Sequence, residues 1–357
     1  MKRKSIKYGK NGLLIFGFSN AFINAVQQLN SIKENPEQKF DWTRLIKAGG
    51  KGALIGGIGG AFVGELADIE NSKEKPLNTS SILLKVVSNV RLNKKNPKYL
   101  IMSNKGSRIS RLIQTNFKSK LSGSPIKIGS TEDGTSLSDE FDIDITVAFN
   151  SNSYNSTNEM FDTMYKFLDI NYTDYDLIKI RKQKKSIGIL YEIEGDDYKI
   201  DIVPYKISKN IRNKTQGYLF VNNNSLFKND SYTKTDITSL KGISLNNSQQ
   251  KLLIAFKNWK KEYSIPISSH LLKMFIIDAY DFNRGFIPRD FTNKIIMIVK
   301  YIKDNILTRR IVSVENTNNI LTNFDDSDKL LIEKECSMVL CDFDYQPNSI
   351  LKYFSVQ

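Results

Sequence analysis

The chain has 357 residues, of which 25% are charged and 40% hydrophobic, with a formal net charge of +14. That length supports one large two-lobed core or two modest domains, and the composition excludes a disordered or fibrous chain. One histidine and two cysteines, Cys336 and Cys341, exclude a zinc-finger-type site or a disulfide framework. Any bound metal is therefore expected on oxygen ligands, and a reducing cytoplasm is the expected compartment. The positive surplus suits polyanionic partners such as nucleic acid, nucleoside triphosphates or an acidic membrane surface, although plain solubility accounts for it equally well.

Residues 1–77 read as an N-terminal helical extension. Lys2, Arg3, Lys4, Lys7 and Lys10 precede an apolar run at 13–18, which Ser19 and Asn20 interrupt. No small-residue cleavage site follows, so a secretory leader is not expected. A loosely amphipathic helix over 13–29 ends before Pro36, and Asp41 caps a second helix. Gly52, Gly56, Gly60 and Gly64 fall on one face of that helix and allow close backbone approach. A tight helical hairpin is the first expectation; peripheral membrane attachment or self-association through this face is the alternative. No run of about eighteen or more uncharged apolar residues occurs, so a transmembrane helix is not specified.

Pro76 and the polar stretch 78–81 read as a linker. Residues 78–210 are expected to form a catalytic lobe, with helical patterns at 82–90 and 107–121 and strand character from Ile126 onward. Asp142–Phe149 alternates polar and apolar residues. The stretches 186–194 and 198–205, joined by a Gly195-Asp196 turn, read as a hairpin. Residues 211–357 are expected to form a helical C-terminal lobe: an asparagine-rich connection, helices near 246–262, 268–281 and 291–307, then a mixed, mostly helical tail.

The chemistry concentrates in 128–149, IGSTEDGTSLSDEFDIDITVAF. Gly129 and Ser130 end a short apolar run and open a turn suited to phosphate, with a hydroxyl and backbone N–H groups at hand. Asp142 and Asp144, one residue apart on a strand, share a face, and two carboxylates on one face favour a cation between them. Asp201 lies in YKIDIVPY on a second strand. Taken singly, an Asp-x-Asp pair reads as a solvated strand and Gly-Ser as an ordinary turn; their order, with a third aspartate inside an apolar strand, gives them weight. Three such groups could hold two divalent ions, clamp a triphosphate and stabilise departing pyrophosphate.

Gly129-Ser130, Gly134-Thr135, Leu137 and Asp142-Ile143-Asp144 resemble the signature of polymerase-beta-like nucleotidyltransferases. More narrowly, they resemble the oligoadenylate synthases, cyclic GMP-AMP synthase and the bacterial CD-NTases. Asp201 sits where the family's third metal-binding carboxylate falls. Ala255-Phe256-Lys257-Asn258-Trp259 is similar to the helix carrying the family's triphosphate-gripping lysine. Ile267-Ser268-Ser269-His270 is similar to the Ser-Ser-Tyr opening of the next helix. The resemblance assigns phosphate contacts to Lys257 and Ser269, and puts His270 in the place of the base-stacking tyrosine.

Over roughly residues 80 to 320 the resemblance implies an α+β, two-lobed fold: a mixed-sheet catalytic lobe against a helical lobe, with the site between them. It implies two Mg2+ or Mn2+ ions at Asp142, Asp144 and Asp201, ribonucleoside triphosphate substrates, and a cyclic or short linear oligonucleotide product in antiphage signalling. A nucleic acid or other activator stays open. The competing enzyme reading is an RNA- or tRNA-end-tailing nucleotidyltransferase, and the competing non-enzyme reading is a nucleotide-binding or membrane-tethered partner protein. For the basic run 181–185 a solvated face is the simpler account.

Overall fold

The structure, a computed structural model, describes residues 77–208, 216–222, 231–236, 244–314, 316 and 318–355. The expected helical hairpin, its glycine face and its membrane or self-association role fall in 1–76, outside the described residues.

Helix α1, Thr79–Val90, begins inside the stretch read as a linker. The Asn78 side chain accepts a hydrogen bond from Ser81 N at 3.0 Å, so the polar run is a cap and first turn. α1 buries Leu83 and Val87 among the C-terminal helices, and Ser80 Oγ accepts from Thr292 N at 3.0 Å. Helix α2, Pro97–Asn116, starts well before the expected 107. Asn96 caps Lys98 N at 2.9 Å, and Pro97, which has no N–H to leave unpaired, suits the first turn.

The sheet contains β1 (Ile126–Ile128), β2 (Asp142–Phe149), β3 (Leu177–Lys182), β4 (Ile187–Ile193), β5 (Asp196–Ile207), β6 (Gln216–Val221) and β7 (Ser231–Asp236). Helix α3, Thr157–Asn171, lies between β2 and β3 in the chain. The order is β1-β2-β5-β4-β3, with β6 pairing β5 further along its length and β7 outside β6. β2 and β5 pair in parallel, while the other described pairs are antiparallel. The expected hairpin is β4–β5, but its turn is one residue earlier. Ile193 pairs Asp196, and Glu194 and Gly195 both take positive φ, 54° and 82°. Two central residues of that hand match the twist of a two-residue hairpin. β6 and β7 fall in the stretch read as an asparagine-rich connection, because the first is a short apolar run and the second is polar, neither with clean alternation.

Ile143, Ile145, Val147 and Phe149 of β2, with Ile200 and Ile202 of β5, point to one side of the sheet. There Met102 and Ile109 of α2 and Phe161 and Met164 of α3 cover them. The opposite side carries the polar set of the same strands and is left open by α2 and α3.

The second lobe is helical: α4 (Asn247–Glu262), α5 (Ser269–Phe282), α6 (Phe291–Asn305), α7 (Asp326–Tyr345) and the short α8 (Ile350–Phe354). Asn246 and Gln249 form a reciprocal capping box that starts α4. Phe256, Trp259, Phe275 and Ile298 form its core, and Trp259 stacks on Phe354 with centroids 5.7 Å apart. Cys336 is buried, Cys341 exposed, and both are free thiols. Among the described residues no helix is long and apolar enough to cross a membrane. The architecture is thus the two-lobed α+β arrangement expected.

Ile145 is fully buried between β2 and α2. Ile145→Ala should lower stability by about 2–5 kcal/mol, the range for a core aliphatic truncation. Urea unfolding measures this, and a loss below about 1 kcal/mol would contradict the packing described.

Candidate active site

The parallel register of β2 and β5 sets Asp144 directly opposite Asp201 and Asp142 opposite Lys199. Alternate residues of a strand share a face, so three carboxylates and one ammonium make a single patch on the open side of the sheet. Lys199 Nζ lies 3.0 Å from Asp142 Oδ2 and 3.1 Å from Asp201 Oδ2. Burial lowers the Lys199 pKa, but the charges of Asp201 and Asp142 outweigh it and hold it above the usual lysine value.

Asp144 has no such ion pair. Burial first, then the charges of Asp201 and Asp142, push its pKa up to about 7. Asp201 is also raised by burial, against the pull of Lys199. Its Oδ1 is buried, with only the Gln183 amide near it. Carboxylates on neighbouring strands, about 5 Å apart at an effective dielectric near 20, repel by roughly 3 kcal/mol. A proton on Asp144 relieves that repulsion, and so would a divalent cation. Among the described residues no three acidic, imidazole or thiol groups close around one point.

The turn 129–135 borders this patch. Gly129 has φ +84°, and a Cβ there would lie 2.2 Å from Asp144 Oδ2, so glycine alone lets the turn rest against the carboxylate. The Gly129 carbonyl accepts from Glu132 N at 3.1 Å and Asp133 N at 3.0 Å, and the Ser130 carbonyl from Thr135 N at 2.9 Å. Ser130 Oγ lies 2.7 Å from Ser136 Oγ.

The helical lobe reaches the same turn. Lys257 Nζ of α4 donates to the Thr135 carbonyl at 2.9 Å, and Lys273 of α5 pairs with Asp133 at 2.9 Å. Burial, then the nearby Lys260 charge, pulls the Lys257 pKa down to about 8, and negative charge brought to this corner would raise it again. Ser268 caps α5, accepting from Leu271 N at 3.1 Å, and Ser269 is the first helical residue. Ser269 shares a helix side with Lys273. His270 Nε2 lies 3.1 Å from Ser313 Oγ, which anchors the ring to the segment after α6.

Gly129, Ser130, Asp142, Asp144, Asp201 and Lys257 are therefore brought together around one turn and one sheet face, with Ser269 and His270 at the opening of α5. Sequence reasoning missed Lys199 and Lys273. Lys199 was findable, two residues before Asp201 on the same face; Lys273 was a lone charge inside SHLLKMFII. It also missed a hollow on the carboxylate face, lined by Ile128, Thr146, Val203, Leu219, Thr235 and Asn316 among others. Thr235 is 1% exposed and its hydroxyl has no hydrogen bond, while Asn316 Nδ2 donates to Thr233 Oγ1 at 2.8 Å.

The Asp144 shift fixes a pH dependence. A carboxyl whose folded pKa is near 7, against an ordinary 3.8, keeps its proton in the folded state while the unfolded chain has lost it. Stability without metal therefore falls as pH rises from about 4 to about 7. Asp144→Asn removes that loss. In EDTA the variant should melt close to wild type near pH 4 and above it at pH 8. A variant less stable than wild type at pH 8 would contradict this.

No family model matches the chain, and no curated protein matches it in sequence. Solved structures do match in shape. CdnC of E. coli MS115-1 with ATP superposes with a TM-score of 0.60 at 16% identity, covering 79% of this chain and 99% of that one. The CD-NTase CdnG of Bradyrhizobium diazoefficiens in complex with GTP gives 0.59 at 12% identity, covering 77% and 95%. The Elizabethkingia meningoseptica CdnE cyclic dinucleotide synthase with GTP and Apcpp gives 0.52 at 14%, covering 72% and 97%. The chain carries the two-lobed fold of the bacterial CD-NTases.

Proposed function

We propose that this protein is a metal-dependent nucleotidyltransferase that joins ribonucleoside triphosphates into a cyclic or short linear oligonucleotide signal, serving antiphage defence as the resemblance implies. One observation carries the reading: Asp144 and Asp201 face each other across parallel strands beside Asp142, against a glycine turn gripped from the other lobe by Lys257. The likeness in fold to proteins solved with ATP and GTP supports the same reading.

Asp142, Asp144 and Asp201 would hold two Mg2+ or Mn2+ ions. Bound there, the ions would supply positive charge for the triphosphate and acidify an acceptor hydroxyl. The chain's own groups supply the positioning. Backbone N–H groups of the 129–135 turn, the Ser130 hydroxyl, Lys257 and Ser269 bind the donor's phosphates. The acceptor lies over β2 and β5, with its base in the hollow floored by Thr146 and Thr235. Attack of the acceptor hydroxyl on the donor α-phosphate forms the new phosphodiester and releases pyrophosphate. His270, anchored by Ser313, offers an imidazole ring on which the donor base would stack.

Purified protein incubated with the four ribonucleoside triphosphates and Mg2+ or Mn2+ should yield a new oligonucleotide, identified by mass spectrometry, without added RNA. A cyclic product resists phosphatase; a linear one does not. Product formed only on an added RNA primer would replace this reading with RNA tailing.

Asp142→Asn, Asp144→Asn and Asp201→Asn should each cut turnover by about 10²-fold or more with the fold retained by circular dichroism, since each removes a ligand of a shared seat. Near-full turnover in any one would remove that residue from the site. Lys257→Ala should raise the donor KM about tenfold with a smaller change in kcat, because lysine acts on phosphate as a point charge. Unchanged donor kinetics would leave Lys257 with only its bond to Thr135.

A further inference from the structure

Gly188 of β4 lies between Arg181 of β3 and Asp201 of β5 in the sheet register. It is the one position in that row without a side chain, and another group fills the space. A Cβ built on Gly188 would lie 2.1 Å from Gln183 Nε2 and 3.4 Å from Asp201 Oδ1. The Gln183 amide therefore reaches over the glycine from the β3–β4 turn and comes to rest against the third carboxylate.

Both atoms that meet there are buried, and neither has any other hydrogen-bond partner. The rest of Gln183 is fixed: its N donates to the Ser186 carbonyl at 2.8 Å, and its Oε1 accepts from Ser186 Oγ at 2.9 Å. The other oxygen of Asp201 is held by Lys199 at 3.1 Å. A carboxylate oxygen accepts only, so the group facing it must be the amide NH2, and that settles which way the Gln183 amide is turned. Hydrogen bonds of this kind are often long in an empty site and tighten when the site fills.

Resting on the nucleotidyltransferase reading, we infer that Gln183 is a positioning residue. Its amide donates across Gly188 to Asp201 Oδ1 and fixes the carboxylate so that Oδ2 faces Asp142, Asp144 and the incoming cation. The glycine is part of the device, since any side chain at 188 would displace the amide. Arg181 and Lys199, the other polar neighbours in these rows, cannot substitute: Arg181 is exposed, and Lys199 holds the opposite oxygen.

The test uses Gln183→Met, which keeps the length but removes the donor, and Gly188→Ala, which keeps both polar groups but drives them apart. Each is measured two ways: steady-state kinetics with saturating triphosphate, and the Mn2+-induced rise in melting temperature without nucleotide. Expected for both variants is a fall in kcat of about 10–100-fold, the usual effect of losing an outer partner of a metal ligand. The Mn2+ concentration giving the half-maximal melting shift should rise by a similar factor, while donor KM stays within about twofold. Metal-free melting near the wild-type value excludes a merely structural role. Wild-type kcat and Mn2+ response in Gln183→Met, or in Gly188→Ala if Gln183→Met does not fold, overturns the inference alone. A wild-type protein that neither forms product nor responds to Mn2+ overturns the reading beneath it.

Discussion

Like-charge repulsion between two carboxylates on adjacent parallel strands is the constraint around which the rest of this molecule is arranged. The β2–β5 register fixes Asp144 opposite Asp201, and no other described residue forms an ion pair with Asp144. Half of the compensation is internal, through Lys199 bridging Asp142 and Asp201. Asp144 is left without such a partner, and its pKa is pushed up to about 7. A fold selected only for stability would place apolar or neutral residues here, as it does on the other face of the same strands. The uncompensated charge on this face is what the proposed cation would neutralise.

The surrounding elements leave that face open and set positive charge beside it. α2 and α3 cover only the apolar side of the sheet. Gly129 lets a turn lie against Asp144 where a side chain could not fit. The helical lobe supplies the opposite charge through Lys257 and Lys273, both directed at the 129–135 turn. α1 precedes the catalytic strands in sequence but buries its apolar side with the helical lobe, and Leu92 N just beyond it donates to the Ser136 carbonyl at 2.9 Å. One chain segment thus ties the turn that faces the carboxylates to the lobe that carries the lysines.

Much of this was legible in the sequence, and the reasons are local. β2 shows clean alternation, so the shared face of Asp142 and Asp144 was readable from spacing. The helices near 246–262, 268–281 and 291–307 carry strong apolar periodicity and agree with α4, α5 and α6 within about two residues. Features that depend on contacts distant in sequence were not readable. The stretch 78–81 looks like a linker until Thr292 supplies a partner for Ser80. Gly106 in the middle of α2 discourages a helix locally, yet Ile143 and Ile145 pack against it. β6 is a short apolar run without clean alternation and β7 is polar; β6 is held by pairing with the far end of β5, and β7 by pairing with β6. Gln183 and Thr235 are ordinary polar residues by sequence; their interest lies in burial without a bond.

The central claim is that the carboxylate patch is a cation seat. Manganese titration followed by electron paramagnetic resonance, with a non-hydrolysable ATP analogue present, tests it without relying on turnover. The account predicts about two bound ions per wild-type chain, with at least one lost in Asp144→Asn although the analogue still binds. Equal manganese binding by wild type and variant, or none by either, would contradict it.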